Sequence, residues 1–248
     1  MSIPIYRFGI FDNCEGLIHG LSMREGGVSE EAFGSLNLGL DVGDSDENVK
    51  KNFELFCGEM SADVDKLCVA FQQHTDNIVQ IDKGAGFGSP YDAVDGFVTN
   101  VSGIPLMVRF ADCQGVFLFD PVKLVIGAVH SGWRGNVKNI IGKAVSIMVS
   151  EYECSPDDVL AAVSPSLGPC CAEFTDPVSE LPEQMHKYIN GRNVDLWACA
   201  YDQLCDAGIL DEHIEIAREC TKCNNAKYFS YRGGNKKSGH MGGIIQLI

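Results

Sequence analysis

The central part of the chain, residues 106–148, reads LMVRFADCQGVFLFDPVKLVIGAVHSGWRGNVKNIIGKAVSIM. It contains three short apolar runs, Leu106–Phe110, Val116–Phe119 and Leu124–Val129, which predict strands. From Gly135 onward the apolar residues fall on one stripe with a period of 3.6 residues, which predicts a helix. Strands followed by a helix of this kind favour an α/β or α+β fold.

The same alternation of short strands and helices continues on both sides. Asp46–Met60 is predicted to be a helix, because its apolar residues recur every three or four positions. The other predicted strands are Cys68–Gln72, Ile78–Ile81, Gly96–Thr99 and Val159–Val163, and the other predicted helices lie near Pro182–Tyr188 and Leu196–Cys205. Since no linker or repeat interrupts the pattern, residues 1–248 are predicted to form one domain.

The charge of the chain restricts the class of partner. Of its 248 residues, 19 are basic and 34 are acidic, which gives a net charge of −15. A surface this acidic repels nucleic acid and anionic lipid, so small molecules are the expected partners. A phosphate group must then be bound by a few placed arginines rather than by the overall field.

The chain is expected to be cytoplasmic. No apolar stretch is long enough to span a bilayer, and Arg7 and Asp12 interrupt the N-terminus before a signal-peptide core can form. The 11 cysteines do not match the disulfide framework of a small secreted domain, so most are expected to be reduced and buried.

Two neighbouring strands are predicted to bring a cysteine close to a histidine. Val116–Phe119 and Leu124–Val129 flank a turn at residues 120–123, which favours a hairpin. If Pro121 and Val122 form a two-residue turn, Cys113 lies opposite His130, with Cβ atoms about 5 Å apart. Because proline does not suit the usual two-residue turns, a longer loop with a shifted register stays open.

A third polar residue joins this pair. His74 follows the apolar run that starts at Cys68, and with Cys113 and His130 it makes a His₂Cys set. Three protein ligands with one open position are typical of a catalytic zinc, which lowers the pKa of a bound water to about 7. A trigonal copper site has the same donors, and buried structural thiols and histidines are the alternative to any metal.

Three arginines stand in polar, glycine-containing turns: Arg24, Arg134 and Arg232. Arg134 precedes the strongest predicted helix, where free backbone N–H groups attract anions. The sequence therefore predicts an anion-binding role for these arginines, with an exposed arginine beside a turn as the alternative.

The remaining cysteines and histidines are not assigned a site. Cys220 and Cys223 have CxxC spacing, but without a second such pair a zinc ribbon is not predicted. Cys170 and Cys171 are expected to lie in a turn with buried thiols. The histidines expected to be structural or on the surface are His19, His186 and His213.

Taken together, the motifs resemble the YfiH-like family, bacterial proteins once called multicopper polyphenol oxidases or laccase-domain proteins. The resemblance covers nearly the whole chain. The matching segments, in order, are His19-Gly-Leu-Ser-Met-Arg24-Glu-Gly-Gly27, Ser35-Leu-Asn37-Leu-Gly39, Gln72-Gln-His74, Asp95-Gly-Phe-Val-Thr99, Ala111-Asp-Cys113, His130-Ser-Gly-Trp-Arg-Gly135, Gly168-Pro-Cys-Cys171 and Phe229-Ser-Tyr-Arg232.

The resemblance implies mixed β-sheets flanked by helices and a purine nucleoside phosphorylase. Such enzymes split adenosine, inosine and methylthioadenosine with phosphate and also deaminate adenosine. The metal ligands it implies are His74, Cys113 and His130, holding Zn²⁺ or Cu²⁺, and it places Arg24 and Asn37 at the substrate pocket.

This chain departs from the family pattern at three positions: Met23, Thr75 and His240. His240 stands where the family commonly has arginine. An anion contact at that position is therefore not expected, and His240 would either change substrate preference or bring a further histidine to the pocket.

The leading hypothesis is a zinc-dependent purine nucleoside phosphorylase and adenosine deaminase, acting as a monomer or homodimer. Arg24, with Arg134 or Arg232, would hold the phosphate, and Asp112 would move a proton or orient a ligand. One alternative is a cysteine hydrolase with Cys113 as nucleophile and His130 as base. The others are a copper-dependent polyphenol oxidase, which the six histidines in the chain disfavour, and a binding protein without turnover.

Overall fold

The computed structural model describes residues 3–88 and 90–248. Its strands are β1 (Ile5–Tyr6), β2 (Leu17–Ser22), β3 (Ala70–Phe71), β4 (Ile78–Gln80), β5 (Tyr91–Asp92), β6 (Gly96–Thr99), β7 (Leu106–Phe110), β8 (Gln114–Asp120), β9 (Val125–Ser131), β10 (Leu160–Val163), β11 (Ile189–Asn190), β12 (Asn193–Val194), β13 (Ile214–Ile216) and β14 (Met241–Leu247). Its α-helices are α1 (Asp46–Glu59), α2 (Trp133–Val137), α3 (Ile140–Tyr152), α4 (Pro177–Glu180) and α5 (Leu196–Asp206). The 3₁₀ helices are Gly9–Phe11, Glu31–Phe33, Pro156–Asp158, Glu183–Tyr188 and Asp211–His213.

Two sheets form the framework. The larger has six strands in the order β13-β10-β8-β9-β6-β4 and is mixed, because its two outer pairs are parallel and its central pairs antiparallel. The smaller has four antiparallel strands in the order β1-β2-β14-β7. The predicted α/β (α+β) class, with mixed β-sheets flanked by helices, is confirmed.

The side chains of β8 alternate between two separate cores. Phe117 and Phe119 pack with residues of the four-stranded sheet, in the core between the sheets. Val116 and Leu118 point to the other face, where α3 and α5 cover them. Because successive residues of a strand face opposite sides, one fully buried strand serves both layers. Helix α1 completes the stack by covering the outer face of the four-stranded sheet.

The predicted hairpin is present, with the longer loop that the sequence left open in place of a two-residue turn. Strands β8 and β9 are joined by a four-residue loop, residues 121–124, so His130 pairs with Gly115 rather than lying opposite Cys113. The carboxylate of Asp120 accepts the backbone N–H groups of Val122 and Lys123, each at 2.8 Å, which stabilises the longer loop. Cys113 lies immediately before the first residue of β8.

The helix predicted from Gly135 is two helices. Helix α2 begins at Trp133, and the break before α3 lies at Asn139, whose φ of 54° is left-handed. The Asn139 side chain accepts the N–H of Gly142 and caps α3. Arg134 therefore lies within a short helix instead of preceding a long one. The segment predicted as a helix near Pro182–Tyr188 forms a 3₁₀ helix.

No helix among the described residues is long and apolar enough to cross a bilayer.

Candidate metal centre and active-site cavity

A cavity of about 1120 Å³ opens where β7, β8 and β9 end. The residues on its wall include His74, Cys113 and His130, the three that the sequence grouped as metal ligands. They lie on different segments, because His74 follows β3, Cys113 precedes β8 and His130 is near the end of β9. The fold therefore brings together residues that are far apart in sequence.

The three side chains present their donor atoms to one another. Sγ of Cys113 is 3.6 Å from Nε2 of His74, and one donor atom from each of the three lies within 4.8 Å of the others. The rings of His74 and His130 meet edge-to-face with centroids 5.0 Å apart. One sulfur and two imidazole nitrogens at this spacing suit a zinc ion or a copper ion.

Asp95, buried at the start of β6, organises both histidines. Its Oδ1 lies 2.8 Å from Nδ1 of His130 and accepts the backbone N–H of His74 at 3.1 Å. Its Oδ2 accepts N–H groups from Gln73 and Thr75 and the Thr75 hydroxyl. Since Nδ1 of His130 is engaged by this carboxylate, Nε2 is the nitrogen left for a metal. Burial alone would raise the pKa of Asp95, but these bonds lower it to about 2.

Mutual attraction favours the charged forms of Cys113 and His130. Burial opposes ionisation of both groups, but the two histidines lower the pKa of the Cys113 thiol below its usual value. The pKa of His130 is raised, because Cys113 and Asp95 outweigh the effect of burial. A thiolate is the form of cysteine that binds a metal and the form that acts as a nucleophile, so either use is open to Cys113.

Close approach by the backbone fixes the space around these donors. A Cβ atom at Gly132 would lie 2.7 Å from Cδ2 of His74 and 2.9 Å from Sγ of Cys113, so only glycine fits there. His74 and Asp112 have φ angles of 56° and 84°, which non-glycine residues rarely adopt. Strained backbone of this kind clusters at functional sites.

Asp112 lies on the cavity wall, with its carboxylate hydrogen-bonded to the loop that follows β13. Oδ1 accepts the hydroxyl groups of Thr221 and Ser230 at 2.7 and 2.6 Å, and Oδ2 accepts the backbone N–H of Arg232 at 2.6 Å. These three bonds occupy both oxygens. The arrangement suits a residue that positions Cys113 and the loop.

Two of the predicted anion-binding arginines line the cavity. Arg134 lies over the ring of Trp133, with 4.2 Å between guanidinium carbon and ring centroid. Arg232 is exposed and donates to the carbonyl oxygen of Glu173 at 2.8 Å. Lys236 and the buried Arg109 lie on the same wall, so four cationic side chains line this cavity in a strongly acidic protein.

The structure places Arg24 and Asn37 away from the described wall of the cavity. The guanidinium of Arg24 is used by backbone carbonyls, those of Gly34 and Asn225, each at 2.8 Å. Asn37 is fully buried, and its side-chain oxygen accepts the N–H groups of Gly39 and His240. These contacts give both residues a role in holding loops together, and contact of this pair with substrate stays a prediction.

Sequence reasoning did not assign a role to Asp95 or Arg109. Asp95 stands in one of the segments that carry the family resemblance, which was the available signal. Arg109 is 5% exposed on the cavity wall, and burial lowers its pKa to about 10. His240 also lines the cavity, and burial followed by repulsion from Arg109 and the two histidines lowers its pKa to about 3. Within the described residues, Nε of Arg109 and Nδ1 of His240 have no hydrogen-bond partner.

Comparison with known families identifies the chain. The sequence profile described as multi-copper polyphenol oxidoreductase laccase matches residues 18–248. The chain belongs to this family. The predicted resemblance is thereby confirmed.

Members of this laccase-like family that resemble the chain carry the name purine nucleoside phosphorylase. The purine nucleoside phosphorylase YlmD of Bacillus subtilis is 31% identical over 95% of this chain and 90% of its own length. The purine nucleoside phosphorylase of Bacteroides thetaiotaomicron is 29% identical over 90% of this chain and 88% of its own. The crystal structure of YlmD from Geobacillus stearothermophilus aligns with a TM-score of 0.86 at 28% identity, over 94% of this chain and 93% of that one.

Proposed function

We propose that this protein is a zinc-dependent purine nucleoside phosphorylase that also deaminates adenosine. The observation that carries the proposal is the set of three metal donors on the wall of a large cavity that also presents Arg134, Arg232 and Lys236. The name shared by its relatives supports the reaction class.

His74, Cys113 and His130 fit a resident metal. Their donor atoms converge within 4.8 Å. Asp95 fixes the orientation of His130, as a carboxylate behind a metal-binding histidine commonly does. A bound zinc ion supplies a Lewis acid that activates water at neutral pH. Thiolate and imidazole donors with a fourth position open are the usual ligands of a catalytic zinc.

Phosphorolysis requires the C1′–N9 bond of the nucleoside to break while a phosphate oxygen bonds to C1′. We assign phosphate binding to Arg134 and Arg232, because both line the cavity and Arg24 is not among the residues on its wall. The products are ribose 1-phosphate and the free purine, whose ring nitrogen takes up a proton. Fixed positive groups hold and orient the phosphate anion, and the negative charge of that phosphate stabilises the positive charge that develops on the sugar.

The cavity also offers surface for the purine. Phe71 and Tyr231 line it and provide aromatic faces against which a base can stack. We place Asp112 outside the proton-transfer step, since both its oxygens already accept hydrogen bonds. Its contribution is to hold Cys113 and the loop carrying Arg232 in register.

A cysteine hydrolase is the second candidate, because Cys113, His130 and Asp95 form a nucleophile, a base and an orienting carboxylate. His74 favours the metal instead: a cysteine nucleophile has no need of a second imidazole 3.6 Å from its sulfur. Copper oxidation of phenols is disfavoured, since a laccase relay needs a histidine-built copper cluster beside a mononuclear site. Of the six histidines, only three line the cavity in the described structure: His74, His130 and His240.

The test is chromatography of products after zinc-loaded protein meets adenosine with and without phosphate. Adenine and ribose 1-phosphate are expected only with phosphate, and inosine is expected in either case. His74→Ala should abolish both products and His213→Ala, a partly exposed histidine elsewhere on the chain, should preserve them. Absence of both products from the zinc-loaded protein would overturn the proposal. A turnover that survives complete zinc removal but not Cys113→Ser would instead establish the hydrolase.

A further inference from the structure

Four cysteines from two distant segments meet next to the cavity: Cys170, Cys171, Cys220 and Cys223. Their Sγ atoms all lie within 4.8 Å of one another. Sγ of Cys223 is 3.7 Å from that of Cys170 and 3.5 Å from that of Cys171. All four are free thiols. We propose that this cluster, the four-cysteine site, binds a structural zinc ion that is separate from the metal in the cavity.

The spacing of the sulfurs matches one tetrahedral ion. Zinc bound by four thiolates has Zn–S bonds of about 2.3 Å, which places the sulfurs about 3.8 Å apart at the corners of a tetrahedron. The contacts at 3.5 and 3.7 Å are close to that edge. A closed set of four cysteines with no open position is typical of a structural site rather than a catalytic one.

The backbone of both segments forms tight turns that present the cysteines. The backbone and side-chain N–H groups of Asn224 donate to the carbonyl of Cys220 at 3.0 and 2.9 Å, which forms the turn that carries Cys220 and Cys223. On the other segment, the N–H groups of Cys171 and Ala172 both donate to the carbonyl of Gly168 at 2.9 Å, which forms the tight turn that presents two consecutive cysteines. The two turns together bring all four sulfurs to one point.

The site joins two segments that only a few hydrogen bonds connect otherwise. Ser166 donates its N–H to Glu219 at 3.1 Å and accepts the N–H of Thr221 at 3.0 Å, making an isolated bridge. Beyond this bridge both segments are turns. A zinc ion would link them directly, which is the contribution expected of a structural metal in irregular chain.

Thr221 connects the four-cysteine site to the wall of the cavity. Thr221 lies beside Cys220, and its hydroxyl donates to Asp112 at 2.7 Å. Asp112 in turn precedes Cys113 and accepts the N–H of Arg232. Zinc at the four-cysteine site would therefore hold the cavity wall in place without contacting substrate.

The first experiment measures zinc per chain, by elemental analysis of protein purified without chelator. We expect two equivalents in the wild type and one in Cys223→Ser. His74→Ala should lose the other equivalent, which distinguishes this site from the one in the cavity. Cys205→Ser, at a partly exposed cysteine on α5, is the matched control and should retain both. A wild-type protein whose zinc content Cys223→Ser leaves unchanged overturns the proposal, as does iron in place of zinc.

A second measurement needs no change in the cluster. Cys170 and Cys223 are exposed, so as free thiols they would react quickly with iodoacetamide. In the native, zinc-replete His74→Ala protein we expect all four cysteines to be protected until a strong chelator is added, and the Tm to fall by several degrees on chelation. Rapid alkylation before chelation contradicts the proposal, and so does an intact mass that shows a disulfide within the cluster.

Discussion

Replacing Asp95 by asparagine tests whether this buried carboxylate fixes the metal ligands. The two side chains have the same shape, but asparagine has an NH₂ group in place of one oxygen. Oδ1 receives N–H groups from His74 and His130, and Oδ2 receives those of Gln73 and Thr75. Whichever way the amide turns, its NH₂ faces two N–H donors.

The expected cost follows from these contacts. Each buried donor left without an acceptor costs about 1–3 kcal/mol, so two of them lower the free energy of unfolding by about 2–6 kcal/mol. At about 2–4 °C per kcal/mol for a chain of this size, the Tm falls by roughly 5–20 °C. Loss of a carboxylate behind a metal-binding histidine weakens metal affinity about 10–100-fold.

The assay is a chelator competition for the zinc equivalent that His74→Ala removes, together with calorimetry of the same samples. Asp92→Asn is the matched control: Asp92 is exposed and accepts only the side-chain N–H of Gln73, at 3.1 Å, among the described contacts. It should change the free energy of unfolding by less than about 0.5 kcal/mol. Zinc affinity within twofold of the wild type in Asp95→Asn would refute the reasoning.

Three further outcomes are expected. Burial, followed by the charge of Arg7, lowers the pKa of His19 from 6.5 to about 4, so the folded protein favours the neutral imidazole. About 3 kcal/mol of stability that is present above pH 6.5 is therefore lost as the pH falls toward 4. In His19→Gln, the free energy of unfolding measured by denaturant titration should depend less steeply on pH. In Gly132→Ala the new methyl carbon would lie 2.9 Å from the Cys113 sulfur, so zinc affinity should fall at least tenfold. Gly58→Ala, in open space at the end of α1, is the control. It should raise the free energy of unfolding by about 0.5–1 kcal/mol and leave zinc binding unchanged. Phe117→Ala removes a ring that is 1% exposed between the two sheets and should cost about 3–5 kcal/mol by chemical denaturation.

Local pattern was enough to predict much of the framework. Strands Gly96–Thr99 and Leu106–Phe110 have the bounds expected from their apolar runs, and α1 differs from its predicted bounds by one residue. These elements are determined by side-chain burial with a regular period, which a single sequence displays. Because the pattern of burial follows directly from the pattern of apolar residues, the predicted bounds agree with the structure.

The predictions that were wrong depend on single polar contacts. The Asp120 carboxylate stabilises a longer hairpin loop, and Asn139 divides the helix by adopting a left-handed conformation and capping α3. In both places the backbone has alternative conformations of nearly equal energy, and a single side-chain hydrogen bond selects one of them. The spacing of apolar residues does not indicate which one. Even so, the grouping of Cys113 with His130 survived the register error, because both residues leave their strands at the same end.

Other features depend on contacts between residues distant in sequence. The four-cysteine site joins Cys170 and Cys223 across two turns whose proximity is created by the sheets between them. In the sequence, Asp95 is an ordinary polar residue next to a predicted strand. Its role is visible only in the fold, where β9 places His130 beside it. Pairings of this kind are tertiary: the CxxC spacing marks Cys220 and Cys223, but it does not indicate the distant cysteines that complete the site.

The position of Asp95 means that the residues that orient the histidines are different from those that form the outer wall of the cavity. It is fully buried, and it sets the orientation of the histidines from behind the cavity wall. The outer wall, by contrast, is contributed by exposed residues such as Tyr231, Arg232 and Lys236. Under the proposed function, substitutions along that outer loop would alter substrate choice without disturbing the metal ligands, which makes residues 231–236 the natural target for altering nucleoside selectivity by directed evolution.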